Sequence, residues 1–182
     1  MGGRLKFFSE AWTKITDNVW VLEILRHGYA LEFISKPIIP RFKLTRLTLG
    51  SQDPILREVN TLKVKKALEP VPQEEREQGF YSTFFLRPKK TGDLRSILNL
   101  RPLNKHLAKI TFKMDTFSIV KKSLKTNWWA ISMDLQDAYL HVPVRPSHKK
   151  YLRFALDNGF HGQFRVLCFG LRTAPRVFTK IV

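Results

Sequence analysis

Apolar and polar residues follow two different periods along the chain, which predicts a mixture of helices and strands. From position 51 onward, apolar residues recur at helical spacing at Leu56, Val59, Leu62 and Ala67. Asp53 is a candidate N-cap for this helix, Pro54 occupies its first position, and Pro70 marks its end.

Two further helices and a short connecting element are predicted downstream. Asp115 is expected to begin a helix over 115–124, and Thr173 to cap another over 173–182. Residues 101–107, RPLNKHL, are predicted to form a loop or a short helix.

Runs with strand character predict two hairpins and one central strand. The runs 81–88 and 94–100 flank the polar turn KKTGD, and a second pair flanks Asp157-Asn158-Gly159. Asn-Gly favours a type I′ turn. The β-branched and aromatic run WWAISMDL, 128–135, predicts a strand at the centre of a sheet.

The amino-terminal part has a weaker pattern, in which 11–34 predicts a short helix or turn followed by a strand. Across the chain, helices and strands alternate without a regular βαβ order. The pattern therefore predicts an α+β fold built on a mixed sheet.

Charge is the most unusual feature of the composition. The 182 residues contain 32 lysines and arginines against 15 aspartates and glutamates, and residues 81–182 carry 19 basic against only five acidic side chains, a net charge of +14 there. Such an excess indicates a polyanionic partner, typically nucleic acid.

Cysteine content and hydropathy indicate the cellular compartment in which the protein is expected. The single cysteine, Cys168, excludes an internal disulfide framework and a cysteine-rich zinc site, and it is expected to act as a buried apolar residue. No apolar run approaches the length of a membrane span, and the start of the chain lacks a secretory signal. We expect an intracellular protein, cytoplasmic or nuclear, without a membrane partner.

Two carboxylates in the most basic part of the chain are the leading candidates for chemistry. Asp134 and Asp137 follow the apolar run 128–135 directly. Aspartates at such positions often only cap a turn. Carboxylates at a strand end among basic groups also suit phosphoryl or nucleotidyl transfer, because they hold Mg²⁺ against phosphate oxygens.

Three blocks of the sequence resemble reverse transcriptases, in the order that this family has them. SMDLQDAYLHVPV (132–144) resembles the first catalytic block, and FFLRPKKTGDLRSILNLRPLN (84–104) resembles the fingers hairpin with the block after it. FRVLCFGLRTAPRVFTK (164–180) is similar to the later block that ends in AP-x-x-F. The finer pattern is most similar to the DIRS and Ngaro retrotransposons, which carry a tyrosine recombinase.

The resemblance implies a right-hand polymerase fold with fingers and an incomplete palm on a mixed, mainly antiparallel sheet. Residues 1–50 would be a lead-in segment and 51–182 a partial reverse transcriptase domain. The family's Tyr-x-Asp-Asp hairpin is not found in the sequence, so we expect a truncated or decayed copy without polymerase activity of its own.

The resemblance assigns roles around the first catalytic block. Asp134 would be the catalytic, metal-binding carboxylate, one of several that hold two Mg²⁺ ions in an intact parent. Asp137 and Ala138 would lie near the incoming triphosphate, and Tyr139 would be the steric gate that rejects a ribose 2′-hydroxyl. Core packing is the alternative role for Tyr139.

The other two blocks supply further candidates by resemblance. In the hairpin, Lys89 and Arg95 would contact the triphosphate, unless they are only surface charges at a turn. Nucleotide contacts are also implied for Phe169 and Gly170. Template contact or scaffolding is implied for Arg101, Asn104 and Pro175.

These roles imply an RNA template, a DNA primer or RNA–DNA hybrid, and deoxynucleoside triphosphates as partners; the sequence does not determine the oligomeric state.

Two other functions fit the composition. One is a non-catalytic, basic nucleic-acid-binding protein derived from a retroelement, and the other is a globular protein whose charge serves solubility.

Overall fold

The chain has the mixed α+β structure that its sequence predicts. The computed structural model describes residues 2–39, 43–89 and 92–182. The α-helices are Ser9–Trp12 (α1), Val19–His27 (α2), Gln52–Val64 (α3), Arg101–Asn104 (α4), Phe117–Ser123 (α5) and Ala174–Ile181 (α6). Short 3₁₀ helices are Arg4–Phe8, Gln73–Glu75, Ala138–His141 and Pro146–Tyr151. Within the described residues, no helix combines the length and the apolar character needed to cross a membrane.

Within 2–39, 43–89 and 92–182, six strands form two sheets. The strands are Leu44–Thr45 (β1), Leu68–Pro70 (β2), Phe84–Pro88 (β3), Leu94–Leu98 (β4), Arg153–Leu156 (β5) and His161–Phe164 (β6). The larger sheet has the order β1-β5-β6-β2, in which only the β1–β5 pair is parallel, while β3 and β4 form a separate antiparallel pair. The larger sheet is thus mixed and mainly antiparallel, as expected.

Aromatic stacking and a continuous apolar core join the two sheets. The ring of Phe84 in β3 stacks on that of Phe154 in β5, with centroids 4.5 Å apart. Helices α2 and α3 bury one face each against the same core, and the amino-terminal segment joins it where Tyr29 forms a parallel bridge to Val144. These contacts fix the β3–β4 hairpin relative to the larger sheet.

A buried arginine ties β5 to the connection before β3. Arg153 is 1% exposed, and its guanidinium donates to the Glu75 carboxylate at 2.5 Å and to the Gln163 side chain at 2.9 Å. A further hydrogen bond runs to the backbone carbonyl of Gln78. A buried charge is tolerated only when it is paired in this way.

Helix α2 lies within 11–34, where a short helix or turn followed by a strand was predicted. The Asn18 side chain accepts hydrogen bonds from the backbone N–H groups of Trp20 and Val21, and so caps the helix. Val21, Ile24 and Leu25 then share one buried face. The strand expected within 11–34 does not form, since only isolated bridges occur there, at Tyr29 and Phe33.

Three predicted helix boundaries are wrong. Helix α3 begins at Gln52 after Ser51, rather than after Asp53, and it ends at Val64 because Lys66 adopts a left-handed conformation with φ 55°. The chain beyond it pairs with β6, which places Pro70 in β2. Similarly, α5 begins at Phe117 after Thr116 instead of at Asp115.

Both predicted hairpins form, and α6 begins after Thr173 as expected, although the Thr173 side chain makes no capping hydrogen bond. The turn type at Asn158-Gly159 is wrong, however. Type I′ requires positive φ at both central residues, and only Gly159, with φ 86°, has it. Hydrogen bonds from the Gly159 N–H to the Leu156 carbonyl and from the Leu156 N–H to the Phe160 carbonyl fit the alternative of a type I turn followed by a left-handed glycine.

The predicted central strand over 128–135 is absent from the structure. These residues are irregular and exposed, and Trp129 has full exposure. A strand is stabilised by pairing and by burial of at least one face. The run pairs with no other strand among the described residues, and it packs neither face.

Candidate functional site

A cavity of about 960 Å³ opens between the β3–β4 hairpin, helix α3 and the turn at 134–139. Its walls carry charged, polar and aromatic side chains from distant parts of the chain. The lining residues that the following paragraphs use are Lys65, Lys89, Arg95, Asp134, Asp137, Ala138, Tyr139, Phe169 and Phe178. The cavity therefore collects cations, carboxylates and aromatic rings in one place.

Most of the residues singled out from the sequence lie in this cavity. Seven of them line it: Lys89, Arg95, Asp134, Asp137, Ala138, Tyr139 and Phe169. The other four, Arg101, Asn104, Gly170 and Pro175, are not part of the lining. Three separate sequence blocks thus meet at one site.

The β3–β4 hairpin brings cations to the cavity. The Lys89 N–H donates to the Asp93 carbonyl at 2.6 Å, and Gly92 adopts φ 89° at the tip. The rest of the predicted tip, residues 90 and 91, lies outside the described residues. Arg95 places its guanidinium 4.7 Å from the ring centre of Phe169, a cation–π contact that holds it over the cavity wall.

Three aromatic rings form one wall of the cavity. Tyr139 packs against Phe169 with centroids 5.1 Å apart and meets Phe178 edge-on at 5.8 Å. Burial raises the pKa of the Tyr139 phenol, although the nearby Arg95 charge acts in the opposite direction. The phenol is therefore neutral at physiological pH, and the wall presents a fixed shape.

Phe178 and Lys65 were not among the residues predicted from the sequence. The sequence held a signal for Phe178, because it is the last residue of the AP-x-x-F block and lies one helical turn after Pro175. Lys65 follows α3 directly, and its ammonium lies 2.6 Å from the Asp137 carboxylate. No local pattern indicates that contact, since 72 residues separate the two.

The turn that carries Asp137 has an unusual backbone. Asp137 adopts the left-handed conformation, φ 55° and ψ 36°, and precedes the 3₁₀ helix Ala138–His141. Aspartate tolerates this conformation better than most residues do. Tyr139 follows two residues later, so the turn links the carboxylate to the aromatic wall.

Asp134 lies at the cavity on exposed, irregular backbone and not at a strand end. Together with Asp137 it offers carboxylate oxygens, which are ligands that suit Mg²⁺. Among the described residues, however, no group of three or more His, Cys, Asp or Glu side chains could hold a metal ion. A two-ion centre needs more carboxylates than this pair supplies.

The four predicted residues outside the cavity lining lie in α4, in α6 and in the loop before α6. The Asn104 side chain donates to the Gly170 carbonyl at 2.8 Å and accepts from the Arg172 N–H at 2.9 Å, which joins α4 to the loop before α6. Arg101 is exposed at the start of α4, and Pro175 lies in the first turn of α6. The contacts of Asn104 are thus those of a scaffold residue, because they hold α4 against the loop before α6.

A glycine is required at position 170, both for the backbone conformation there and for the space around it. Its φ is 106°, and a Cβ atom there would collide with the Leu98 carbonyl oxygen. We expect Gly170→Ala to lower the free energy of unfolding by about 3 kcal/mol, measured by urea denaturation. Gly50→Ala is the matched control, because it adds its methyl group to open space at ordinary φ and should change the free energy by less than about 0.5 kcal/mol. Equal effects of the two substitutions would contradict this view of Gly170.

Cys168 lies beside the site without contributing chemistry to it. The residue is 1% exposed, and burial raises the pKa of its thiol to about 12. A thiol that stays protonated at neutral pH is a poor nucleophile. Its position in the apolar core agrees with the role expected from the sequence.

Comparison with known proteins identifies the family. The sequence model of the reverse transcriptase (RNA-dependent DNA polymerase) family matches residues 87–182. The chain is 23% identical over 93 residues to the enzymatic polyprotein of soybean chlorotic mottle virus, an alignment that covers 51% of this chain and 13% of the polyprotein. It is 28% identical over 95 residues to the transposon Tf2-3 polyprotein of Schizosaccharomyces pombe (strain 972 / ATCC 24843), covering 52% of this chain and 7% of that protein.

A third relative and a solved structure extend the match. The genome polyprotein of petunia vein clearing virus (isolate Hohn) is 27% identical over 129 residues, which cover 69% of this chain and 6% of the polyprotein. The fold resembles that in the crystal structure of a prototype foamy virus protease–reverse transcriptase with a TM-score of 0.61 at 16% identity, over 82% of this chain and 20% of that one. The chain spans only a small part of each of these proteins. Since the family model covers more than half of the chain, this protein belongs to the reverse transcriptase (RNA-dependent DNA polymerase) family.

Proposed function

We propose that this chain is part of the RNA-directed DNA polymerase of a DIRS-like retrotransposon, and that its 960 Å³ cavity binds an incoming deoxynucleoside triphosphate. In this proposal the β3–β4 hairpin belongs to the fingers, and the larger sheet belongs to the palm of a right-hand polymerase. The observation that carries the proposal is the meeting of Arg95, Asp134 and Tyr139 in one cavity. Family membership supports the same reaction class.

The triphosphate is assigned to the basic side of the cavity. Lys89 supplies a compact charge, whereas the planar guanidinium of Arg95 can donate two parallel hydrogen bonds to phosphate oxygens. The cation–π contact of Arg95 with Phe169 limits the number of side-chain conformations, which reduces the entropy lost on binding. Ala138 and Gly170 complete the nucleotide side of the proposed site. Gly170 contributes through its neighbour Phe169, which lines the cavity.

Asp134 is assigned to Mg²⁺. When bound, the ion would supply positive charge that offsets the negative charge of the phosphates. The described residues fit one part of such a site, since Asp134 is exposed at the cavity and accessible to a hydrated ion. The described residues do not make up a complete two-ion centre.

Tyr139 is assigned to sugar discrimination. The packing of its ring against Phe169 and Phe178 supports a rigid wall, and a rigid wall can exclude an added hydroxyl group by shape. A deoxynucleotide is the substrate that this arrangement favours.

The nucleic-acid partners are an RNA template and a DNA primer or an RNA–DNA hybrid. The net charge of +14 in residues 81–182 supports this assignment, because cations that neutralise phosphates release counterions on binding. Arg101 is exposed next to the Asn104 scaffold and is our candidate for a template contact.

Titration of dATP into the chain bound to an RNA–DNA hybrid tests the proposal, with and without Mg²⁺. We expect Mg²⁺-dependent binding that Arg95→Ala weakens about tenfold, because a hydrogen bond to a charged group contributes about 1.5 kcal/mol or more. Arg87→Ala is the matched control, since Arg87 lies directly opposite Arg95 in the hairpin register but outside the cavity lining. Absence of Mg²⁺-dependent dATP binding by the unmodified chain would refute the proposed function.

A further inference from the structure

An ion pair joins the end of helix α3 to the turn that forms one side of the cavity. The Lys65 ammonium and the Asp137 carboxylate are 2.6 Å apart, and their side chains are only 37% and 33% exposed. Both residues line the 960 Å³ cavity. The pair is therefore part of the cavity wall and partly shielded from water.

The backbone on both sides of this ion pair is held in an uncommon conformation. Lys66, next to Lys65, and Asp137 itself both have φ 55°, and among the described residues only Asn127 is a further non-glycine with positive φ. L-residues adopt this conformation at a cost, which the surrounding contacts must offset. Two left-handed residues that flank one ion pair indicate that its geometry is tightly determined.

The amino-terminal segment braces the same two elements. The Gly2 N–H donates to the Lys65 carbonyl, and the Gly3 N–H donates to the Leu140 carbonyl at 2.7 Å. A Cβ on Gly2 would approach the backbone of Lys66 to 2.5 Å, so a glycine is needed for this close approach. One segment thus holds the backbone on both sides of the Lys65–Asp137 contact.

We infer that Lys65 is a positioning residue for the nucleotide site: it fixes the Asp137–Leu140 turn and neutralises the Asp137 carboxylate. This inference rests on the proposed function. An unpaired Asp137 carboxylate in the cavity wall would repel a triphosphate, whereas the ion pair with Lys65 offsets the charge of this carboxylate on the wall that also carries Lys89 and Arg95. The same contact fixes the turn that carries Ala138 and Tyr139.

The inference is tested by the affinity for dATP with Mg²⁺, measured on the hybrid-bound chain for Lys65→Met, Lys65→Arg and Lys65→Met/Asp137→Asn. We expect Lys65→Met to weaken binding about tenfold, and Lys65→Arg to stay within about threefold of the unmodified chain because it restores the ion pair. Adding Asp137→Asn to Lys65→Met should recover part of the affinity, because the unpaired carboxylate is then removed.

Lys63→Met is the matched control, since the Lys63 ammonium lies 4.1 Å from the Phe160 ring and outside the cavity lining. Thermal unfolding of each variant separates affinity from stability. Unchanged affinity in Lys65→Met, or a loss that Asp137→Asn does not relieve, overturns the inference while the proposed function stands. Lack of dATP binding by the unmodified chain overturns both.

Discussion

Replacing Asp134 by asparagine is expected to weaken Mg²⁺-dependent binding of dATP by about 100-fold, because loss of a ligand charge removes several kcal/mol of metal binding. Asparagine has the same size as aspartate but lacks the negative charge. Asp134 is exposed on irregular backbone, so the substitution should change the free energy of unfolding by less than about 0.5 kcal/mol. Titration calorimetry with dATP, at fixed Mg²⁺ and on the hybrid-bound chain, measures the effect.

Asp115→Asn is the matched control for this substitution, because Asp115 is also exposed in the same basic half of the chain but is not part of the cavity lining. It should leave the affinity for dATP unchanged. Binding of dATP without Mg²⁺ should be equally weak in all three proteins. If Asp134→Asn binds dATP with Mg²⁺ as tightly as the unmodified chain does, Asp134 is not a metal ligand.

The second large effect is expected at Tyr139, where alanine should reduce discrimination between dATP and ATP by about 100-fold. Shape exclusion of one hydroxyl group can supply a factor of that order. The Tyr139 ring is held by Phe169 and Phe178, so its removal opens the wall at one place. The ratio of the two dissociation constants is measured on the same protein, so a loss of stability affects both values alike.

Tyr139→Phe separates shape from hydrogen bonding at this position. Phenylalanine keeps the ring and removes only the phenol, so discrimination should stay within about threefold of that of the unmodified chain. Equal discrimination in Tyr139→Ala and the unmodified chain would instead assign Tyr139 to core packing.

Elements with strong local signals were predicted correctly from the sequence. The β3–β4 and β5–β6 hairpins follow runs with strand character around glycine-containing turns. Such signals act over a few residues and need no tertiary partner. The three sequence blocks also indicated most of the cavity lining, because Lys89, Asp134 and Phe169 each lie within one block.

Elements that depend on distant contacts were predicted poorly. The run 128–135 has strand composition, but strand formation requires a partner, which the described residues do not provide. The pattern of 11–34 predicted a short helix or turn followed by a strand, whereas the Asn18 cap and a buried apolar face produce helix α2. The Lys65–Asp137 contact joins two residues with no common local pattern, so only the structure reveals it.

The central claim is that the phosphates of a deoxynucleotide bind between the β3–β4 hairpin and the turn at 134–139. A dATP analogue with a photoreactive group on its γ-phosphate tests this directly, when it is cross-linked to the hybrid-bound chain with Mg²⁺ and mapped by peptide mass spectrometry. We predict that the label is found in peptides covering 84–98, and that excess unlabelled dATP prevents the labelling. Labelling confined to other parts of the chain, or labelling that dATP does not prevent, would contradict the account.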